Sequence, residues 1–133
     1  MIGIVIVAHG GLAGEYLSAV EHVVGKQSGV VAIPIAADCD REAKREEILR
    51  AANDVDQGDG VVVVTDMFGG SPSNLSIPAC CKKDRKILYG ANLPMLVKLA
   101  KSRNKDIEIA TSAALKAGRK YIDCIDGSRE EPA

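Results

Sequence analysis

Apolar residues follow two rhythms along this chain. Three runs are nearly continuous: Ile2-Gly3-Ile4-Val5-Ile6-Val7-Ala8, Val30-Val31-Ala32-Ile33-Pro34-Ile35 and Val61-Val62-Val63-Val64. Strands buried on both faces of a parallel sheet read this way. Pro34 has no N–H to give to a ladder, which places the second run at a sheet edge. Ile87-Leu88-Tyr89 predicts a short fourth strand. Between the runs the spacing turns helical. Ala13, Leu17, Val20 and Val24 share one face, with Gly25 as a stop. Ile48, Leu49, Ala52 and Val55 share another, behind the capping candidates Asp38 and Asp40. Ser71-Pro72 signals a third helix with serine as its cap, and Pro78 ends it early. Asn92-Leu93-Pro94 opens a fourth, carrying Leu96, Val97 and Ala100. A fifth runs from about Asp106 to Ala117 and is stopped by Gly118. Tyr121-Ile122-Asp123-Cys124-Ile125 then alternates as a half-exposed strand would.

Strand-helix alternation of this kind implies an α/β fold, a mostly parallel open sheet with helices on both faces. The 133 residues fit one domain, placed at 1–127, with 128–133 as a disordered tail. A hydrophobic fraction of 47% is enough for an ordinary core. The formal charge of −1, without a basic block, excludes a nucleic-acid footprint. No stretch approaches a membrane span. The first apolar run is too short for a signal peptide and lacks a basic leader, so a cytoplasmic protein is expected. Cys39, Cys80, Cys81 and Cys124 form no C-x-x-C pair, and with two histidines they predict buried free thiols rather than a zinc site.

Chemistry concentrates where two core strands end. His9 closes the first run and is followed by Gly10-Gly11; Asp66 follows the third and leads into Met67-Phe68-Gly69-Gly70-Ser71-Pro72. If the third strand lies beside the first, their crossovers diverge, and the crevice at that switch point holds His9 and Asp66 together. Neutral imidazole is a good nucleophile toward phosphorus when one ring nitrogen is held by an acceptor, and Asp66 can be that acceptor. Gly10, Gly69 and Gly70 let backbone amides approach an anion, and Ser71 can donate to a phosphate oxygen while capping its helix. The loop is no Walker motif, since no Gly-Lys-Ser/Thr follows. Taken singly, His9 also suits a turn that bonds backbone, and Gly69-Gly70-Ser71-Pro72 a plain tight turn. His22 reads as an exposed helix residue. Asn92 either caps its helix or supports the loop near the crevice.

Three motifs carry a wider resemblance: Ala8-His9-Gly10, then Asp66-Met67-Phe68-Gly69-Gly70-Ser71-Pro72-Ser73-Asn74, then Gly90-Ala91-Asn92-Leu93-Pro94-Met95-Leu96. In that order and spacing the chain resembles, over nearly its whole length, the enzyme IIA domain of the mannose family of the bacterial phosphoenolpyruvate:sugar phosphotransferase system. The resemblance implies a parallel sheet of order 2-1-3-4 and a homodimer that exchanges an antiparallel fifth strand. It implies a phosphotransferase working through phosphohistidine, in which the residue matching His9 accepts a phosphoryl group from the phosphocarrier protein HPr and passes it to a IIB partner. The residue matching Asp66 orients the ring and that matching Ser71 contacts the phosphoryl group. No metal or cofactor is needed, because the group arrives already activated on nitrogen; the protein supplies positioning and charge stabilisation. The chain departs from the family pattern at Ser73, where an aromatic residue is often found, a change expected at the partner surface, and at Pro78, which interrupts the third helix. Two alternatives share these features: a regulatory phosphoprotein without a transport role, and the phosphotransfer subunit of a dihydroxyacetone kinase, whose later loop reads differently.

Overall fold

A computed structural model describes residues 1–67, 69–82 and 84–128. Four strands, β1 (Gly3–His9), β2 (Val30–Ile35), β3 (Val61–Thr65) and β4 (Arg85–Leu88), pair in the order β2-β1-β3-β4, all parallel. The helices are α1 (Leu12–Val24), α2 (Arg41–Val55), α3 (Ser71–Ser76), α4 (Leu93–Lys101) and α5 (Ile107–Lys120), with a 3₁₀ turn at Ile77–Cys80.

The sheet splits the core in two, and the alternation of side chains along each strand decides which residue goes where. Ile4, Ile6, Ala8, Val62 and Val64 pack with residues of α1, α4 and α5. Val5, Val7, Val61 and Val63 pack on the other face with Ile48, Ala52 and Val55 of α2 and Leu75 of α3. From Ile4 to Ala8 in β1 and from Val61 to Val64 in β3 every position is therefore apolar, which is why these runs are continuous rather than alternating. Edge strand β2 holds the exposed Pro34 opposite Ala8, where the missing N–H costs no ladder bond.

Several elements depart from the sequence-based expectation. The fourth strand starts two residues earlier and ends at Leu88. Ser71 does not cap α3. Gly70 is the capping residue, Ser71 lies inside the first turn, and no side-chain cap bond forms. Gly118 does not stop α5, which continues to Lys120. It is instead a contact residue: a Cβ there would lie 3.1 Å from both Cβ and Cε of Met95, so its small size lets α4 and α5 approach. Tyr121–Ile125 makes no ladder within the chain, and Tyr121, Ile122 and Ile125 are about two-thirds exposed or more, at 68%, 73% and 67%. A strand needs a neighbour, and among the described residues no strand pairs with this segment. The cysteines are less buried than expected: Cys81 and Cys124 are exposed and Cys39 and Cys80 half-buried. Burial still pushes the Cys80 thiol up to about 11. Of the tail read as 128–133, residues 129–133 lie outside the described residues.

Candidate functional site

β1 and β3 are neighbours in register, with Val7 opposite Thr65, so their carboxyl ends emerge side by side. Asp66 follows Thr65 directly, and His9, the last residue of β1, lies two past Val7. One carboxylate oxygen, Asp66 Oδ2, accepts twice from the same histidine: from the ring Nδ1 at 2.8 Å and from the backbone N–H at 3.1 Å. The backbone N–H is a donor in every protonation state, so it fixes which group faces the ring. In the neutral ring Nδ1 then carries the proton toward the carboxylate, which leaves the lone pair on Nε2. Asp66 Oδ1 is buried with no hydrogen-bond partner among the described residues.

Burial pushes the Asp66 carboxyl up, but the ring and backbone hydrogen bonds from His9 outweigh it and hold the group below its ordinary range. The same negative charge adds to burial in raising the Tyr16 phenol, whose hydroxyl donates to the Ala91 carbonyl at 2.9 Å. Ala91 in turn donates its N–H to Thr65 at 3.0 Å, tying the loop after β4 to the end of β3.

The glycine loop closes over the ring. A Cβ on Gly70 would lie 3.1 Å from His9 Cε1 and 3.6 Å from Nε2, so any side chain there would crowd the imidazole. Gly69 adopts φ +83°, a left-handed conformation that glycine reaches without strain. Two loop amides are already engaged: Gly10 N–H donates to the Ile35 carbonyl at 2.9 Å, and Gly69 N–H to Ser73 Oγ at 3.1 Å. Gly10 and Gly69 thus shape the turn with their N–H groups turned into the protein.

Ser73 was expected at the partner surface and is not there. It is 2% exposed; its hydroxyl accepts from Gly69 and donates to the Gly70 carbonyl at 3.1 Å, pinning the loop from below. An aromatic side chain could not make those bonds. Asn92 does not line the cleft with His9. Its Oδ1 accepts from Met95 N–H at 3.0 Å as the α4 cap, and its Nδ2 donates to the Gly118 carbonyl at 2.8 Å, which locks α4 to α5. His22 is exposed on α1, far along the chain's fold from this edge.

One residue of the site carried no recognisable signal in the sequence. Arg41, the first residue of α2, donates from a guanidinium nitrogen to Ser71 Oγ at 3.1 Å. Arg41, Ser71, His9, Gly10, Ile35 and Cys39 line a common cleft of about 390 Å³. A charged residue at the start of a polar helix looks like any solvated one; only the tertiary fold turns it toward the histidine.

The arrangement is an imidazole held by a carboxylate, with a hydroxyl and a cation, around a small open cleft. The described residues contain no helix long and apolar enough to cross a membrane. Among curated proteins, the mannose-specific EIIAB component of Escherichia coli (strain K12) is 28% identical across 99% of this chain. This chain spans 42% of that relative's length. The fructose-specific EIIA component of Bacillus subtilis (strain 168) is 24% identical over 77% of this chain and 71% of its own. The crystal structure of phosphotransferase system component EIIA from Streptococcus agalactiae is similar with a TM-score of 0.82 and 30% identity, covering 93% of this chain and 97% of that one. The mannose/sorbose-specific IIA subunit from Enterococcus faecalis shares the fold with a TM-score of 0.80 at 20% identity, over 97% and 98% of the two chains. The family described as PTS system fructose IIA component (EIIA-man) matches residues 3–116, which takes in β1 to β4, the His9–Asp66 pair and the loop around it; the chain belongs to this family of phosphotransferase-system IIA components.

Proposed function

We propose that this protein is a phosphoryl carrier of a sugar phosphotransferase system, which accepts the group on His9 Nε2 from phospho-HPr and passes it to a IIB partner. The observation that carries the reading is the double acceptance by Asp66 Oδ2, which holds the His9 ring in one tautomer and leaves Nε2 as the nucleophile. In the step itself, Nε2 attacks phosphorus, the new N–P bond forms as the donor's N–P bond breaks, and the bonding pair returns to the donor's ring nitrogen. The attacking ring gains positive character during transfer, and the Asp66 carboxylate is placed to offset it. Ser71 Oγ, which lines the same cleft, offers a hydrogen bond to the phosphoryl oxygens. The onward step is the same chemistry run in reverse with a different acceptor, so one geometry serves both.

The working form is a homodimer in which Tyr121–Ile125 pairs with another copy. What supports this is the exposure of Tyr121, Ile122 and Ile125 in a segment that makes no ladder with its own sheet. An uncovered apolar strand is a liability that pairing relieves.

The test of the carrier role is phosphorylation by phosphoenolpyruvate, enzyme I and HPr. One acid-labile, base-stable phosphoryl group per chain is expected, lost in His9→Ala and kept in His22→Ala. Uptake by His9→Ala would overturn the assignment.

A further inference from the structure

We propose that Arg41 is a phosphoryl-binding residue of the His9 site, placing a guanidinium on the transferring group from outside the glycine loop. This rests on His9 being the phosphoryl acceptor.

The argument starts from what holds Arg41. Asp40 caps α2, its Oδ1 accepting from Ala43 N–H at 3.2 Å, so the backbone bearing Arg41 is fixed at the carboxyl end of β2. That end is registered to the site: Ile35 is opposite His9 and its carbonyl accepts from Gly10. The side chain then crosses to α3 and meets the neutral Ser71 hydroxyl. Among the described residues Arg41 makes no ion pair. A guanidinium has five N–H donors in a planar fork suited to phosphate oxygens, and here one is spent on a hydroxyl. Of the described side chains lining the cleft with His9, Arg41 is the permanent cation.

The charge balance calls for such a group. A phosphoryl group brings roughly −1.5 to −2 charge at neutral pH, and it arrives next to an Asp66 carboxylate held ionised by its bonds to His9. Ser71 can donate one proton but no charge. Arg41 offers both, and its bond to Ser71 aims the hydroxyl and the guanidinium at the same space.

The test uses phosphoramidate, a small N-linked phosphoryl donor, on the full chain, which removes partner docking from the result. Phosphohistidine formation is followed by intact mass and its hydrolysis by ³¹P NMR. Arg41→Gln should slow formation about ten-fold or more, the scale of a hydrogen bond between charged groups, and Arg41→Lys should recover part of it. The exposed position predicts an unchanged melting temperature for the unphosphorylated variants. In a Ser71→Ala background, Arg41→Gln should still slow the reaction. Wild-type rates in Arg41→Gln, or no added effect in the Ser71→Ala background, would overturn direct contact. Failure of wild-type His9 to take up phosphate at all would instead overturn the carrier reading beneath it.

Discussion

Replacing Asp66 by asparagine separates two tasks that the carboxylate performs at once. The ring Nδ1 and the His9 backbone N–H both donate to Oδ2, at 2.8 and 3.1 Å. An amide NH₂ cannot face the backbone N–H, since two donors would meet. The asparagine is therefore turned with its oxygen toward His9, and the Nδ1–H tautomer survives. Its NH₂ then takes the place of Oδ1, already buried without a partner among the described residues, so the fold changes little. What is lost is charge. A hydrogen bond to a charged group contributes about 1.5–3 kcal/mol against about 0.5–1.5 for a neutral one. The difference, about 1–2 kcal/mol, slows transfer about 5–30-fold at about 1.4 kcal/mol per decade. Asp66→Ala loses the tautomer lock as well and should fall into the range of about 10²–10⁴ typical of positioned proton-handling groups. Rapid-quench phosphoryl transfer measures both variants, and ¹⁵N NMR of the ring reads the tautomer directly. Asp66→Asn at wild-type speed would remove the carboxylate charge from the mechanism. Asp66→Asn as slow as Asp66→Ala, with the ring in the other tautomer, would refute the backbone key.

Three further outcomes follow from the same geometry. Ser71→Ala should leave stability within about 0.5 kcal/mol, since it removes no cap and Gly70 holds that position; urea midpoints of the free and phosphorylated forms should show a larger loss in the latter. Asp66 and Asp56 both have carboxyls held below their ordinary 3.8, Asp56 by the Gly58 N–H and then Arg85. Groups lowered on folding stabilise above the unfolded value and lose that contribution as pH falls through the folded one; urea midpoints should thus hold from neutrality down to about pH 4 and drop below it, less steeply in Asp66→Asn. Ending the chain after Lys120 removes the exposed segment while keeping α5 whole; light scattering should then find a dimer in the full chain and a smaller species in the truncation, and a full chain that stays monomeric would rule out strand exchange.

Much of the fold was readable because it is local. The Ile2–Ala8 and Val61–Val64 runs can be satisfied only by burial on both faces, and alternation with amphipathic helices then leaves a parallel sheet as the way to connect them. Pro34 marked an edge because a missing N–H is a property of the residue itself. His9 and Asp66 were legible for the same reason: one is the last residue of a core strand and the other directly follows one, and adjacent parallel strands end at the same sheet edge. Tertiary structure decided what depends on distance. Gly118 looks like a helix stop until Met95 arrives against it, and then its lack of a side chain serves packing. The capping position of α3 falls on Gly70 rather than Ser71, one residue earlier than the sequence suggests. Ser73 faces inward only because the Gly69–Gly70 turn passes over it. Arg41 lies 32 residues from His9 and looked like one more polar position on a charged helix. Its place in the cleft exists because β2 lies beside β1, and no pattern within either segment encodes that neighbour.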